Sequence, residues 1–146
     1  MLRQFKTILC PTDFSEESRH ALEYGASFAR LSEGSLLLAH ILHDPTSEVF
    51  HPEGYTLSFE QAAQHAQALL EEVRDKHLAY PKCELYVEVG DPFEQLMALA
   101  RKRKVDLIVT ASHGRTGLTT LVLGGVAEPL IRNSPCPVFV VRRGVF

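Results

Sequence analysis

A glycine-bearing stretch near the C-terminal end of the chain carries the clearest potential for chemistry. Residues 111–117 read Ala-Ser-His-Gly-Arg-Thr-Gly, and Gly124 and Gly125 follow at a predicted helix start. Glycines let backbone N–H groups approach an anion without a Cβ in the way, and a helix N-terminus adds unpaired donors and a favourable dipole. Arg115 adds a forked cation. The pattern favours anion binding slightly over its alternative, an ordinary glycine-rich turn into a helix.

Other well-known site patterns are missing from the sequence. It contains no G-x-x-x-x-G-K-[ST] phosphate loop, no G-x-G-x-x-G dinucleotide fingerprint and no G-x-S-x-G nucleophile elbow. His40, His43 and His51 lack the spacing of a helical metal site, so we interpret them as surface or packed side chains and predict no metal site. These absences leave no residue to predict as catalytic.

The cysteines indicate a reducing compartment rather than a redox or zinc site. Cys10, Cys83 and Cys136 are widely spaced, and no C-x-x-C pair occurs. All three lie in or beside strand-like runs, which favours small buried hydrophobic side chains over reactive thiols. A reducing cytoplasm is the natural compartment for such a set.

Length and composition predict one compact domain over residues 1–146. The chain has 146 residues, of which 45% are hydrophobic and 23% charged, both ordinary for a globular protein. The net charge of −3 argues against a nucleic-acid surface, and the basic run at residues 101–104 is typical of a solvated helix C-terminus. We find no apolar run that could cross a membrane and no secretory signal, and so expect a cytoplasmic protein.

The hydrophobic pattern alternates between strands and helices along the whole chain. Mostly apolar runs predict five strands, and 3.6-residue periodicity predicts four helices between them; the strands cover residues 5–11, 35–42, 83–89, 105–110 and 137–142. Parallel strands need such crossovers, so we predict an α/β three-layer sandwich with helices on both faces of a parallel sheet. Residues 43–58 form a connection too long to be ordinary, either a mobile flap or a functional loop.

The ends of the predicted helices can also be located from the sequence. Ser15 or Asp13 would cap the first helix, which Gly34 would close, and Leu31 is expected beside its buried stripe. Asp91-Pro92 begins the third helix. Pro129 lies either in the first turns of the fourth helix or at a kink within it.

In an open parallel sheet, ligands bind beyond the carboxyl ends of the strands, where the strand order reverses. That rule points to residues 11–13, 40–42 and 111–114.

Five segments, residues 8–15, 38–41, 106–117, 124–128 and 135–141, together form a specific pattern over the whole length of the chain. Through these segments the chain resembles the universal stress protein family, within the adenine-nucleotide α-hydrolase-like group of α/β folds. The resemblance implies a five-stranded sheet in the order 3-2-1-4-5. It further implies a stress-response module that binds ATP or AMP, with Mg²⁺ as an accompanying ion. No residue is an evident general base near the γ-phosphate of ATP, so slow ATP hydrolysis stays open.

The resemblance also implies a set of binding residues. Pro11, Thr12 and Asp13 would line the adenine and ribose side, with Asp13 accepting from the nucleotide, although capping of the first helix weighs equally for that residue. Ile41 would contact adenine, for which ordinary core packing is the alternative. The remaining positions follow the family's loop, G-x-x-G, nine residues, then G-[ST]: Ala111, Ser112, His113, Gly114, Arg115, Gly117, Gly124, Gly125 and Val126.

Two positions depart from that loop pattern. Ala111 stands in place of the first glycine, and Gly125 in place of the final Ser or Thr. Gly125 keeps its N–H but loses one hydroxyl ligand, worth on the order of 1 kcal/mol, so weakened binding is expected rather than none.

Three functions stay open on the sequence. The first is a nucleotide-binding switch that acts as a homodimer through the exposed apolar edge of the last strand. The second is a dimeric stress adaptor of the same family that binds no nucleotide. The third is an ATP-dependent transferase or a hydrolase on the same fold, for which no catalytic group can be named. A partner protein is expected, but the sequence does not identify it. Binding to nucleic acid or to a membrane is not expected.

Overall fold

A computed structural model describes residues 3–43, 49–50, 56–57, 59–112 and 126–142. The first part of the chain contains β1 (Thr7–Pro11), α1 (Glu16–Ser32), β2 (Ser35–Leu42), β3 (Val49–Phe50), β4 (Thr56–Leu57) and α2 (Phe59–Val73). A π-helical turn (Arg74–Leu78) extends α2. The second part contains β5 (Cys83–Val89), α3 (Pro92–Lys102), β6 (Leu107–Ala111), α4 (Ala127–Asn133) and β7 (Val138–Val141).

The main sheet has five strands in the order β5-β2-β1-β6-β7, and every pairing within it is parallel. Counted along the main sheet alone, this is the predicted order 3-2-1-4-5, which is confirmed. The short strands β3 and β4 form a separate antiparallel pair inside the long connection. At the middle of β1, Leu9 lies opposite Leu37 of β2 on one side and Ile108 of β6 on the other.

Helices cover both faces of the sheet because strand side chains alternate between them. On one face, which we call the α1 face, Ile8 and Cys10 pack with Leu22 and Ala26 of α1. On the other, the α3 face, the buried residues come from strands β1, β2 and β6 and from helices α3 and α4; they include Leu9, Leu37, Ile108, Leu96, Ala100 and Leu130. Full burial of each such leucine stabilises the fold by about 1.5–3 kcal/mol.

The first helix begins as the sequence indicates but ends differently. Ser15 is its N-cap, and the Ser15 Oγ accepts from the backbone N–H of Ser18 at 3.2 Å. At the other end the left-handed residue is Glu33, with φ 54°, rather than Gly34. Gly34 is required for a different reason, since a Cβ there would lie 2.3 Å from the Lys6 carbonyl oxygen.

Three further expectations about the helices are settled. Leu31 is 85% exposed and does not belong beside the buried stripe of α1. Pro129 is the third residue of α4, so its missing N–H falls in the first turn, where no intrahelical acceptor exists, and no kink is needed. For α3, the side chain of Asp91 accepts from the Glu94 N–H at 3.0 Å and Pro92 is the first helical residue, as predicted.

Candidate functional site

The two central strands separate at their carboxyl ends. The last paired residues of β1 and β6 are Leu9 and Ile108. Beyond that pair, β1 continues beside β2 as far as Pro11, and β6 continues beside β7 as far as Ala111. The separation leaves a crevice between the two strand ends, at the point where the strand order reverses. This is the place where open parallel sheets bind ligands.

Backbone hydrogen bonds hold the end of each central strand against its outer neighbour. The Thr12 N–H donates to the Ala39 carbonyl at 2.8 Å, which holds the end of β1 against β2. The Ser112 N–H donates to the Val141 carbonyl at 3.0 Å, which holds the end of β6 against β7. Both Thr12 and Ser112 are buried. The walls of the crevice are therefore fixed from behind by the outer strands.

Thr12 is held by hydrogen bonds at both its backbone and its side chain. Besides its N–H, its carbonyl oxygen accepts from the Nδ1–H of His40 at 2.8 Å. Its Oγ1 accepts from the Phe14 N–H at 3.0 Å and lies 3.0 Å from the Ser18 Oγ. All three polar groups of this residue have partners, which agrees with the rule for buried polar groups.

Asp13 follows directly after Thr12 and is partly buried. Its Oδ1 accepts from the Ser15 N–H at 3.0 Å, an Asx-type turn that closes the link into α1. Ser15, not Asp13, caps the helix, so the capping role proposed for Asp13 is wrong. The carboxylate instead braces the turn that precedes the cap.

Phe14 has a backbone conformation that side-chain-bearing residues seldom adopt. Its φ is 66°, in the left-handed region, where a bulky residue is strained. Its ring packs against the ring of His40, with 4.6 Å between the centroids. We define Thr12, Asp13, Phe14 and Ser15 as the Asp13 turn. His40 contacts the Asp13 turn on both sides of Asp13.

An apolar wall lies on the α3 face, next to the crevice. Ile41 at the end of β2 and Val126 before α4 both pack against the buried cluster of that face. Alternation along β1 places Pro11 on the same side as Leu9. The structure thus brings Pro11, Ile41 and Val126 to one face of the sheet at its carboxyl edge.

Ala111 lies with the opposite cluster. Its methyl group packs against the hydrophobic cluster of the α1 face, to which Cys10 also belongs. The expected sites at His113, Gly114, Arg115, Gly117, Gly124 and Gly125 lie outside the described residues. Of the predicted loop, the structure therefore positions Ala111 and Ser112 at one end and Val126 at the other.

The cysteine thiols are poor nucleophiles in this environment. Burial raises the pKa of the Cys10 thiol far above its ordinary value, and burial also raises the pKa of Cys83 to about 11. Desolvation raises the pKa of Cys136 as well. The described cysteines are unpaired thiols; Cys10 is buried as predicted, whereas Cys83 and Cys136 are only partly buried.

The described residues contain neither a candidate metal cluster nor a helix suited to cross a membrane. Among residues 3–43, 59–112 and 126–142, no three His, Cys, Asp or Glu side chains gather closely enough to hold a metal ion. In the same part of the chain, no helix has the length and apolar content to cross a lipid bilayer.

Sequence reasoning missed the contribution of His40. It placed this residue near a strand end and interpreted it as surface or packed, but not as a donor to the Thr12 carbonyl. A histidine that ends a buried strand next to a sheet's switch point is a signal that could have identified it. The left-handed Phe14 has no signal in the sequence, because Asn, Asp or Gly would normally occupy such a position.

The comparisons with known proteins give one consistent result. The family model of the universal stress protein family matches residues 4–142 of this chain. The universal stress protein MJ0577 of Methanocaldococcus jannaschii is 32% identical to this chain over an alignment 155 positions long, which covers 95% of this chain and 96% of that protein.

Solved structures agree on the fold. The universal stress protein UspA from Lactobacillus plantarum superposes with a TM-score of 0.76 at 18% identity, over 97% of this chain and 100% of that chain. A universal stress protein in complex with cAMP has a TM-score of 0.69 at 24% identity, over 95% and 98% of the two chains.

Proposed function

The chain belongs to the universal stress protein family, and from that premise we propose that it binds an adenine nucleotide in the crevice between β1 and β6. The observation that carries the proposal is the separation of the two central strands after Leu9 and Ile108. Ile41 and Val126 supply apolar surface on the α3 face, and the carboxylate of Asp13 follows the end of β1. A flat apolar ring beside a polar sugar suits such surroundings.

The residues of the proposed site form two groups, one for the adenosine part of the nucleotide and one for its phosphates. Ile41 and Val126 supply apolar surface for the adenine ring, and Pro11 lies on the same face. Asp13 accepts hydrogen bonds from ribose or adenine. Thr12 fixes the backbone that carries that carboxylate, through the contacts of its N–H, carbonyl and Oγ1.

The phosphate half of the proposal depends on the sequence. Ser112 leads from β6 into a stretch in which Gly114, Gly124 and Gly125 allow backbone N–H groups to approach an anion. Arg115 adds a cation. AMP or ATP would be held there, and Mg²⁺ would accompany ATP.

A solved relative supports the choice of ligand class. The universal stress protein with a TM-score of 0.69 was determined in complex with cAMP, an adenine nucleotide. Its likeness to this chain concerns the fold, so the ligand assignment here depends on the crevice and on Asp13.

A second candidate function is a dimeric adaptor that binds no nucleotide. Gly125 favours it, because one hydroxyl ligand for phosphate is missing. Ala111 is weaker support than its sequence suggests, since its methyl group packs into the α1-face cluster. One lost neutral hydrogen bond costs about 1 kcal/mol, which would weaken nucleotide binding without abolishing it.

The edge strand β7 supports a homodimer. Ile108 donates to the Pro137 carbonyl and Ser112 to the Val141 carbonyl, so alternate residues of β7 face β6. The backbone groups of Val138 and Val140 therefore face the open edge. Phe139 beside them is 37% exposed. We propose that two copies join through this edge and that nucleotide binding changes the surface of the dimer.

The proposal is tested by purifying the protein without denaturation, denaturing it, and identifying any released nucleotide by mass spectrometry. We expect AMP or ATP. If nothing is released, the purified protein is titrated with AMP, and with ATP and Mg²⁺, by calorimetry. A folded protein that releases no nucleotide and gives no heat with either ligand contradicts the proposal and favours the adaptor.

A further inference from the structure

We infer that His40 is a positioning residue for the proposed nucleotide site, acting through the Asp13 turn. The effect of His40 on nucleotide binding rests on the proposed function, whereas its effect on the Asp13 turn does not. The inference starts from two contacts of His40, one with Thr12 before Asp13 and one with Phe14 after it.

The first contact fixes the backbone before Asp13. The Thr12 carbonyl can only accept, so the 2.8 Å contact makes the His40 Nδ1 a donor. Nδ1 carries a proton both in the corresponding neutral tautomer and in the imidazolium, so protonation of the ring keeps this bond. Loss of the donor would leave a partly buried carbonyl without its partner, which is costly.

The second contact supports the backbone after Asp13. A phenylalanine at φ 66° persists only where its surroundings determine the conformation. Besides its packing against the α1-face cluster, Phe14 contacts the ring of His40 at 4.6 Å and donates its N–H to the Thr12 Oγ1. His40 thus supports the turn through two direct contacts, the hydrogen bond to the Thr12 carbonyl and the ring contact with Phe14.

The result is a carboxylate that is in place before any ligand arrives. Asp13 lies between two residues that His40 contacts, and its Oδ1 holds the Ser15 N–H at 3.0 Å. A turn that is already ordered spares the ligand the entropic cost of ordering it. We therefore expect His40 to control affinity without contacting the nucleotide.

Two variants separate the donor from the ring. His40→Asn keeps an N–H donor on Cγ but no aromatic ring, and His40→Phe keeps a ring but no donor. His65→Phe is the matched control, because His65 is an exposed residue of α2. Backbone amide exchange at Phe14 and Ser15 is measured by NMR in the free protein, and the Kd for AMP is measured by calorimetry.

We expect the hydrogen bond to dominate. His40→Phe should exchange at Phe14 and Ser15 about tenfold faster and bind AMP about tenfold more weakly, equivalent to about 1.4 kcal/mol. His40→Asn should stay within about threefold of wild type in both measurements, as should His65→Phe. In the wild type, the ¹⁵N shift of Nδ1 should show a protonated nitrogen even at alkaline pH.

Each contrary result has a distinct meaning. Wild-type exchange rates in His40→Phe, or an unprotonated Nδ1 in the wild type, overturn the role of His40. Exchange in His40→Asn as fast as in His40→Phe overturns the dominance of the hydrogen bond and with it the inference. A wild-type protein that binds no AMP overturns the proposed function, while the exchange rates still decide whether His40 holds the turn.

Discussion

Leu9 and Ile108 lie side by side as the last residues at which the two central strands pair. Leu9 is also in register with Leu37 of β2, and Ile108 with Val138 of β7. After this row, each central strand stays only with its outer neighbour. The crevice is therefore a consequence of topology, since the chain builds the sheet outward from its centre in both directions.

The contact between α1 and β1 gives a test of packing. A Cβ at Gly25 would lie 2.2 Å from the Cys10 Sγ, so Gly25→Ala must displace a fully buried side chain. We expect it to lower the free energy of unfolding by about 1–3 kcal/mol, although alanine is the better helix former. Urea denaturation measures the change.

Truncation of the thiol should reverse that loss. In a Cys10→Ala background, Gly25→Ala should be neutral or stabilising by up to about 1 kcal/mol. Equal destabilisation in both backgrounds would show that the two positions do not compete for the same space.

An ion pair that joins the end of α3 to β5 predicts a pH dependence. Arg103 donates through Nη1 and Nη2 to the two carboxylate oxygens of Glu84, each at 2.8 Å. These bonds lower the pKa of Glu84 below its usual range. A carboxyl whose pKa is lower in the folded state stabilises the fold above its unfolded pKa of about 4.3, and this stabilisation is lost as the pH falls.

We therefore expect Glu84→Gln to destabilise the fold by about 0.5–1 kcal/mol at neutral pH, a small value because the pair is partly exposed. The difference from wild type should shrink as the pH falls below about 4. Urea titrations at several pH values measure it. A difference that does not change with pH would exclude an ionic origin.

The open edge of β7 predicts a variant that separates the proposed dimer without unfolding the chain. The Val140 N–H faces away from β6, and proline is tolerated where a strand's N–H faces outward. Val140→Pro should sediment as a monomer at micromolar concentration, whereas wild type should sediment as a dimer. Ile131→Ser removes an exposed apolar side chain of α4 instead and should leave the dimer intact. A monomeric wild type, or a dimeric Val140→Pro, would contradict the proposed interface.

The two departures from the family's loop should have unequal effects on binding. Gly125→Ser restores a hydroxyl ligand and should tighten nucleotide binding about fivefold, the equivalent of about 1 kcal/mol. Ala111→Gly should change the Kd by less than about twofold, because the Ala111 methyl belongs to the α1-face cluster. Calorimetry on both variants makes the comparison. The opposite ranking would place the Ala111 methyl in the nucleotide's path.

Much of the fold could be predicted because local signals and buried periodicity agree. The predicted bounds of β2 and β5 match the structure, and Asp91 and Pro92 begin α3 as their residue types indicate. The order of the strands is not contained in these local patterns. It came from the family resemblance, because pairing between distant strands leaves no periodic trace in the sequence.

The candidate site was only partly predictable. The switch-point rule located Thr12, Asp13 and Ser112 from strand ends alone. It could not show that Ser15 rather than Asp13 caps α1, since both residue types are good caps. Nor could it show that Phe14 is left-handed, because contacts with His40 and Thr12 override its intrinsic preference.

The central claim is tested most directly by titrating wild type and Asp13→Ala with AMP in a calorimeter. Glu16→Ala is the matched control, since it removes an exposed carboxylate from the first turn of α1, the helix that follows the Asp13 turn. The account predicts saturable binding by wild type and Glu16→Ala, and at least tenfold weaker binding by Asp13→Ala, because hydrogen bonds to a charged group are worth about 1.5–3 kcal/mol. Equal affinity in all three proteins, or no binding by folded wild type, would contradict it.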